Sequence, residues 1–464
     1  MPMPRVLVVG AGATGACAAL RLRQLLGREV QIEVWEKARG PGGRMSTNRQ
    51  ALGGATVRAD LGAQYLSLDG EDPASAGVAE LLVKAGVCAE VPAALLSATP
   101  ERPAGKGWRH LAGTAGGVND ALKAILEESG AELHCEKRVA SLDEQQGQWR
   151  ARPFEGAPGL FSAVVLAVPG CGVGGDNLNK IHGGYEGKFS KEQWNALVGA
   201  QHDARWAFAL FLSAECQARC EEYFGPTQVE KVVDAGPVHL LCYQSRKTAE
   251  LSGDAPAGAI AVVAHTTIEW AKRNARANGR DDRLLQEVAE HVKGLLGITA
   301  PLSRVLLASK VITWKQCQVT KHVPPPRNSG PCMLVSERPA MVLAGDYFTE
   351  SNFSGCLKSA FAAAEAVAGL LSGGPTAALA DRAERASMKG SPGDGGKGSK
   401  DGKGGKGGKG GKDAEAGKVG GGGKGGKGSK GSKGYPAGTE GDEKRGGGGK
   451  GKGKGYAWQP MSGA

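Results

Sequence analysis

Aromatic side chains are scarce, at 5% of the 464 residues. That scarcity disfavours a ring-walled cage for a cationic ligand and a stacking platform for single-stranded nucleic acid. The ten cysteines, at 17, 88, 135, 171, 216, 220, 242, 317, 332 and 356, include no Cys-x-x-Cys pair, so neither a zinc ligand set nor a disulfide framework is expected, and the thiols read as reduced. Cys216 and Cys220 stand four apart, but no His or Cys cluster completes a metal site with them. No apolar run reaches the roughly 18 residues expected of a membrane span. The first strand pattern begins by Val6, which leaves no room ahead of it for a cleavable leader. A soluble cytoplasmic protein without a transmembrane segment or a metal is the expectation.

What the chain has in excess is glycine and lysine, and both concentrate at one end. From Lys389 to Ala464 it carries 32 of the 75 glycines and 17 Lys+Arg against 7 Asp+Glu, which accounts for +10 of the +11 net charge. With almost no apolar side chains to offset ordering entropy, residues 389–464 read as a disordered tail joined by a linker at 376–388. The remaining body is near neutral, so the pI of about 9.1 does not mark a nucleic-acid-binding fold. Such a tail either solubilises the protein or touches RNA, acidic lipid or acidic proteins weakly and in a salt-dependent way.

The body opens with Val6-Leu-Val-Val-Gly-Ala-Gly-Ala-Thr-Gly15. An apolar strand feeding Gly10, Gly12 and Gly15 permits a tight turn, close approach of a pyrophosphate to the main chain, and a helix whose first amides face the phosphates. The helix pattern covers 13–26, and a second strand over 30–35 ends at Glu36, where a carboxylate can take the hydroxyls of an adenosine ribose. The loop from Lys37 to Thr47 holds Gly42, Gly43 and Arg44, suited to close backbone approach and to neutralising pyrophosphate charge. This pairing of motifs points to FAD more than to a generic NAD site.

Further along, Ala59-Asp-Leu-Gly-Ala-Gln64-Tyr65 reads as a short apolar strand with a polar and an aromatic tip, and 76–87 as an amphipathic helix. A strand followed by a glycine-rich turn is expected over 108–118, and further strands at 131–135, 137–142 and 163–169, with a helix over 119–129; the backbone at Val139 is placed to pair with an adenine. Between 170 and 339 the texture changes to strands at 205–212, 238–243, 259–266 and 305–316 with a helix at 283–296, an antiparallel or mixed sheet serving as a lid over a substrate. The chain returns with an apolar strand ending at Gly345-Asp346, which puts a carboxylate at a strand end. A helix beginning near Asn352-Phe353 and running to about Leu371 would aim its positive end at a flavin. The fold class expected is α/β: a Rossmann-like FAD-binding part (1–70, 110–170 and 338–375), a mixed α+β substrate domain (71–109 and 171–337), and the disordered tail.

Taken together, Val8-Val-Gly-Ala-Gly-Ala-Thr-Gly15, Gly42-Gly-Arg-Met-Ser-Thr47, Asp60-Leu-Gly-Ala-Gln-Tyr65, Ala264-His-Thr-Thr267, Trp314 with Gln318-Val319, and Gly345-Asp346 followed by Ser351-Asn-Phe-Ser-Gly-Cys356 resemble the renalase family, within the FAD oxidoreductases that include monoamine and protoporphyrinogen oxidases. The resemblance covers about Met3 to Leu371. It implies non-covalent FAD at Thr14, Arg44, Gln64 and Tyr65 besides Gly10, Gly12, Gly15, Glu36 with Lys37, Gly43, Val139, Gly345, Asp346 and Asn352-Phe353. It implies hydride transfer from isomeric dihydronicotinamide dinucleotides, with electrons passed to O2 to give hydrogen peroxide and no catalytic residue beyond the flavin. The Ser-Gly-Gly-Cys-Tyr stretch that carries covalent flavin in monoamine oxidases has no counterpart, so Cys356 reads as a packing residue.

Five residues are candidates for substrate contact. Gln64 and Tyr65 closely follow Gly62; Arg205 either attracts a substrate phosphate or is a solvated charge. His265 either bonds a carboxamide or phosphate or is a satisfied structural residue, and Trp314 either stacks on a nicotinamide or belongs to the core. Two other functions stay open: an amine or porphyrinogen-type oxidase, and a redox-sensing flavoprotein tethered by its basic tail.

Overall fold

The computed structural model describes residues 3–97, 103, 105, 107–170, 178–253, 258–277, 281–324 and 330–373. The linker, the tail and Cys171 lie outside the described residues. At the centre is a six-stranded sheet in the order Met333–Glu337, Ala340–Leu343, Ala163–Leu166, Arg5–Val9, Gln31–Trp35, Glu132–His134. All neighbours are parallel except the antiparallel edge pair Met333–Glu337 and Ala340–Leu343. Strands buried on both faces need unbroken apolar runs, and Val6 to Val9 and Ala163 to Leu166 supply them. One face is covered by the helices Ala13–Leu26, Asp120–Ser129 and Phe353–Leu371, the other by a three-stranded meander of Val139–Gln145, Gln148–Pro153 and Gly159–Phe161.

The helix Phe353–Leu371 is long and apolar enough to cross a membrane by composition, contrary to the expectation that no such run exists, and 61% of that window is buried inside the protein. Alanines at 360, 363, 364, 366 and 368 keep its surface flat enough to lie against the first helix. It is a core helix of the layer it shares with Ala13–Leu26 and Asp120–Ser129.

A second sheet of five antiparallel strands runs Glu230–Ala235, Val238–Tyr243, Ala259–Thr266, Arg205–Ser213, Leu306–Trp314. Alternation along Arg205–Ser213 sorts its two faces. Trp206, Phe208, Leu210 and Leu212 pack beneath the helices Gln217–Phe224, Ile268–Arg273 and Asp282–Leu295, while Ala207, Ala209 and Phe211 face Val57, Ala59 and Leu61. The small alanines on the second face let a hairpin, Thr47–Leu52 with Ala55–Asp60, lie close against it.

Three readings of the sequence need correction. The strand expected over 59–65 ends at Asp60, and residues 61–65 form a loop before the next strand, Leu66–Asp69. Leu61 N and Ala63 N donate to Ser46 O and Arg44 O, each at 2.9 Å, so this loop is pinned to the Arg44 turn rather than to a sheet. The helices Lys191–Val198, Gln217–Phe224, Gln244–Ser252 and Ile268–Arg273 occupy stretches read as polar connections. Lys191–Val198 carries a capping box, with Ser190 accepting from Gln193 N, and the expected helix at 76–87 starts earlier, at Pro73, because Asp72 caps it.

Candidate active site

The first turn is built for close approach at one point only. Gly10 has φ of +103°, and a Cβ there would lie 2.6 Å from Ala167 O; one at Gly15 would lie 1.9 Å from Gly10 O. These two glycines let strand and helix touch. A Cβ at Gly12 meets nothing within 4 Å, so the space beside the helix start is open there, as a pyrophosphate requires. Glu36 is buried, and its two oxygens accept from Ala11 N and Ala38 N, each at 2.8 Å. The carboxylate is thereby held still with lone pairs left over for hydroxyl donors. Lys37 beside it is exposed. Thr14 is buried and hydrogen-bonds the Cys356 thiol, whose pKa burial pushes up to about 11. Cys356 is thus a neutral packing residue.

Arg44 and Asp346, which the sequence assigns to the pyrophosphate and the ribityl chain, meet each other. Nη1 and Nη2 of Arg44 donate to Oδ2 and Oδ1 of Asp346, both at 2.7 Å, and Nη1 also donates to Cys317 O at 2.9 Å. Two parallel bonds of this kind fix both planes. Ser351 Oγ donates to Asp346 Oδ2 at 2.9 Å and accepts from Val319 N at 3.0 Å. Burial would raise the Asp346 carboxyl, but the charge and bonds of Arg44, together with Ser351, outweigh it and hold the pKa below its ordinary value. Gly345 must be glycine because a Cβ would lie 2.2 Å from the Tyr347 ring. Gly62 is equally constrained, at 1.8 Å from Arg44 O, so the loop that carries Gln64 rests directly on the arginine's own backbone. Half-buried His202, with no signal in the sequence, adds a neighbouring imidazole whose pKa burial lowers.

The substrate candidates come together on the second sheet. Arg205 pairs in register with Trp314, and Ala207 with His265, so all three stand at one end of the same face. Arg205 is buried, with Nε 3.6 Å from Asp203 Oδ2, which excludes the solvated reading. Trp314 Nε1 donates to Leu61 O at 2.9 Å, so its indole bridges the sheet and the loop. His265 Nε2 lies 3.4 Å from Gln64 Nε2, and its pKa is lowered to about 3 by burial first and then by the charges of Arg205, His239 and Lys247. It is neutral at physiological pH. Tyr65 turns away from this group and packs edge-on against His110 at 5.6 Å. Val139 pairs with Pro153. Asn352 is the N-cap, accepting from Gly355 N at 2.8 Å, and buried Phe353 is the first residue of the helix.

Sequence reasoning missed a buried polar group behind Gln64. Lys247, on the helix Gln244–Ser252, donates to Asp60 Oδ2 at 2.9 Å and to Gln64 O and Gln64 Oε1, both at 3.1 Å. Asp60 also accepts at Oδ1 from Thr47 Oγ1 at 2.7 Å and Val118 N at 3.0 Å, and Gln244 Nε2 donates to Gln64 Oε1. The ion pair is sealed, with both side chains about 95% buried. A carboxylate inside an apolar segment demands a partner, and Asp60 was the only available signal. Among the described residues there is no group of three or more His, Cys, Asp or Glu able to hold a metal ion.

Residues 8–81 match the NAD(P)-binding Rossmann-like domain and residues 81–368 the flavin-containing amine oxidoreductase family. The chain is 25% identical over 360 residues to renalase of Mus musculus, covering 77% of this chain and 97% of that protein. Its fold is similar to a provisionally assigned protoporphyrinogen oxidase of Exiguobacterium sp. 255-15 (TM-score 0.51, 13% identity, 79% and 99% of the two chains). It is similar too to a putrescine oxidase solved with putrescine bound (TM-score 0.51, 11% identity, 78% and 98%). With an open glycine turn, a fixed Glu36 and the Arg44–Asp346 clamp fitting a dinucleotide, the chain belongs to the flavin-containing amine oxidoreductase family, among its renalase-like members, and is a flavin-dependent oxidoreductase.

Proposed function

We propose that the protein is a renalase-like oxidoreductase that uses non-covalent FAD to oxidise isomeric dihydronicotinamide dinucleotides to NAD(P)+, with O2 as the final acceptor and hydrogen peroxide as its product. The reading rests on one observation above the others: Arg205, His265 and Trp314 share one end of a sheet face, with Gln64 from the flavin-side loop against it. A phosphorylated, ring-bearing substrate needs a cation, a neutral hydrogen-bonding group and a flat apolar surface together, and this face supplies them. Bound FAD would supply the hydride acceptor. Gly12, Gly43 and Glu36 would hold its nucleotide end and Arg44 and Asp346 its middle, with Gly10, Gly15 and Gly345 shaping the backbone and Thr14, Lys37, Val139, Asn352 and Phe353 around it. Buried Arg205 would attract the substrate phosphates, Trp314 would orient the ring, and the closed hairpin face would exclude water. Residues 1–70, 110–170 and 338–375 would form the FAD-binding part and 71–109 with 171–337 the substrate part. A reducing compartment, the cytoplasm, suits thiols such as Cys17, Cys88, Cys242 and Cys317, which remain unbridged.

The test is an absorbance spectrum of the purified protein followed by turnover. Flavin bands near ~375 and ~450 nm, released by heat or acid, are expected, with peroxide formed from 6-dihydro-NADP and not from a panel of amines. Turnover of amines with no flavin reduction by dihydronicotinamides would replace this reading with that of an amine oxidase. A colourless protein that does not take up FAD would end both.

A further inference from the structure

The buried group behind the flavin-side loop has a chemical direction. A lysine ammonium has three hydrogens and no lone pair, and Lys247 spends all three, on Asp60 Oδ2, Gln64 O and the Gln64 side chain. The Gln64 atom it faces must therefore be an acceptor, which makes it Oε1 and turns Nε2 the other way. Gln244 reinforces this choice, since it donates Nε2 to the same oxygen while its own Oε1 accepts from Asp60 N at 3.1 Å. Gln64 Nε2 then gives one hydrogen to Asp60 O at 2.7 Å and shares the other between Gly62 O at 3.2 Å and His265 Nε2 at 3.4 Å. An amide N–H cannot accept, so a proton on His265 Nε2 would face another donor.

We infer that Lys247 is a positioning residue which, through the amide of Gln64, fixes His265 as a neutral imidazole protonated at Nδ1. The permanent charges near His265 act in the same sense: Arg205 on the neighbouring strand and Lys247 behind Gln64 both disfavour an imidazolium. This end of the sheet face then carries a permanent cation, Arg205, and an uncharged ring whose hydrogen sits on Nδ1. Such a pair suits a ligand with an anionic group and a neutral acceptor such as a carboxamide oxygen, which deepens the proposed dihydronicotinamide reading and rests on it. The tautomer itself does not depend on that reading.

The experiment is a long-range 1H–15N correlation spectrum of the full-length protein labelled with 15N-histidine, without substrate, His265 being assigned from the His265→Gln variant. In the parent protein His265 should show a pyrrole-type Nδ1 and a pyridine-type Nε2 that stay unchanged from about pH 5 to 8. In Gln64→Glu the facing atom becomes an acceptor, so Nε2 should gain a proton and the ring should titrate within that range. In Asp60→Asn/Lys247→Gln, which removes both buried charges together, the amide is released and a mixture of tautomers is expected. An Nε2-protonated or charged His265 in the parent overturns the proposal, as does a Gln64→Glu spectrum identical to the parent's. Should the double variant not fold, Gln64→Glu decides alone. If the tautomers behave as stated but no dihydronicotinamide reduces the flavin, the functional reading fails and the positioning role stands.

Discussion

Two of the site's carboxylate–cation pairs, Asp60–Lys247 and Arg44–Asp346, are built for opposite purposes. Asp60–Lys247 is sealed, fully hydrogen-bonded and behind the face that carries Arg205, His265 and Trp314. Arg44–Asp346 pairs a buried carboxylate with an arginine whose side chain is 35% exposed, on the side where the glycine turn is open. A sealed pair sets geometry, and its removal leaves a stranded charge. In the open pair water already screens the arginine, so the pair contributes less than a sealed one.

Breaking the sealed pair should have the largest effect. Lys247→Met leaves Asp60 charged and uncompensated, and chemical denaturation should report a loss of about 3–5 kcal/mol; Lys247→Met/Asp60→Asn should regain most of it. If the single variant is as stable as the parent, the pair is not sealed.

The glycine turn sharpens the contrast between building and binding. Gly15→Ala forces a Cβ onto Gly10 O and should lower stability by about 1–3 kcal/mol. Gly12→Ala, with nothing within 4 Å, should melt like the parent yet bind flavin about tenfold more weakly in a fluorescence titration. Equal flavin affinity in Gly12→Ala would move the cofactor away from this turn.

For the open pair the effect is smaller and depends on pH. The folded pKa of Asp346 lies below its ordinary value of 3.8, so its stabilisation is complete above that value and is lost as pH falls through the lower, folded value. Asp346→Asn should cost about 1 kcal/mol near neutrality, after allowance for the exposed arginine. The difference in stability between parent and variant should shrink as melts are taken from about pH 5 down to pH 2. A constant difference would mean that the carboxylate is not the group responsible. Last, Trp314→Phe removes the bond to Leu61 O and part of the ring surface, and should cost about 0.5–1.5 kcal/mol, with a larger rise in KM than fall in kcat.

The residues of the open pair were visible in the sequence because they sit in short contiguous motifs, Gly43-Arg44 and Gly345-Asp346, but their pairing was not, since each was assigned separately to a part of a cofactor. Arg205, His265 and Trp314 were also visible, each at or near the end of an apolar run. That they share a face follows from register, which no single strand encodes. Lys247 was invisible for a different reason. It stands in Gln244-Ser-Arg-Lys247, a polar stretch that reads as surface, and its burial is decided by Asp60, 187 positions away. The strand read over 59–65 was carried too far because Leu61 to Tyr65 continues its apolar pattern, although those residues form a loop held by Arg44 and Ser46 backbone carbonyls rather than by a sheet ladder.

The Arg44–Asp346 clamp joins positions 302 apart in the chain. A nascent polypeptide emerging from the ribosome makes the glycine turn within its first forty residues but has no Asp346 to close against until nearly all of the folded body has been synthesised. If Arg44 and Asp346 hold the flavin as proposed, its loading comes late, on an almost finished chain. Fragments cut short before the final strand would keep the Rossmann signature and lack the grip.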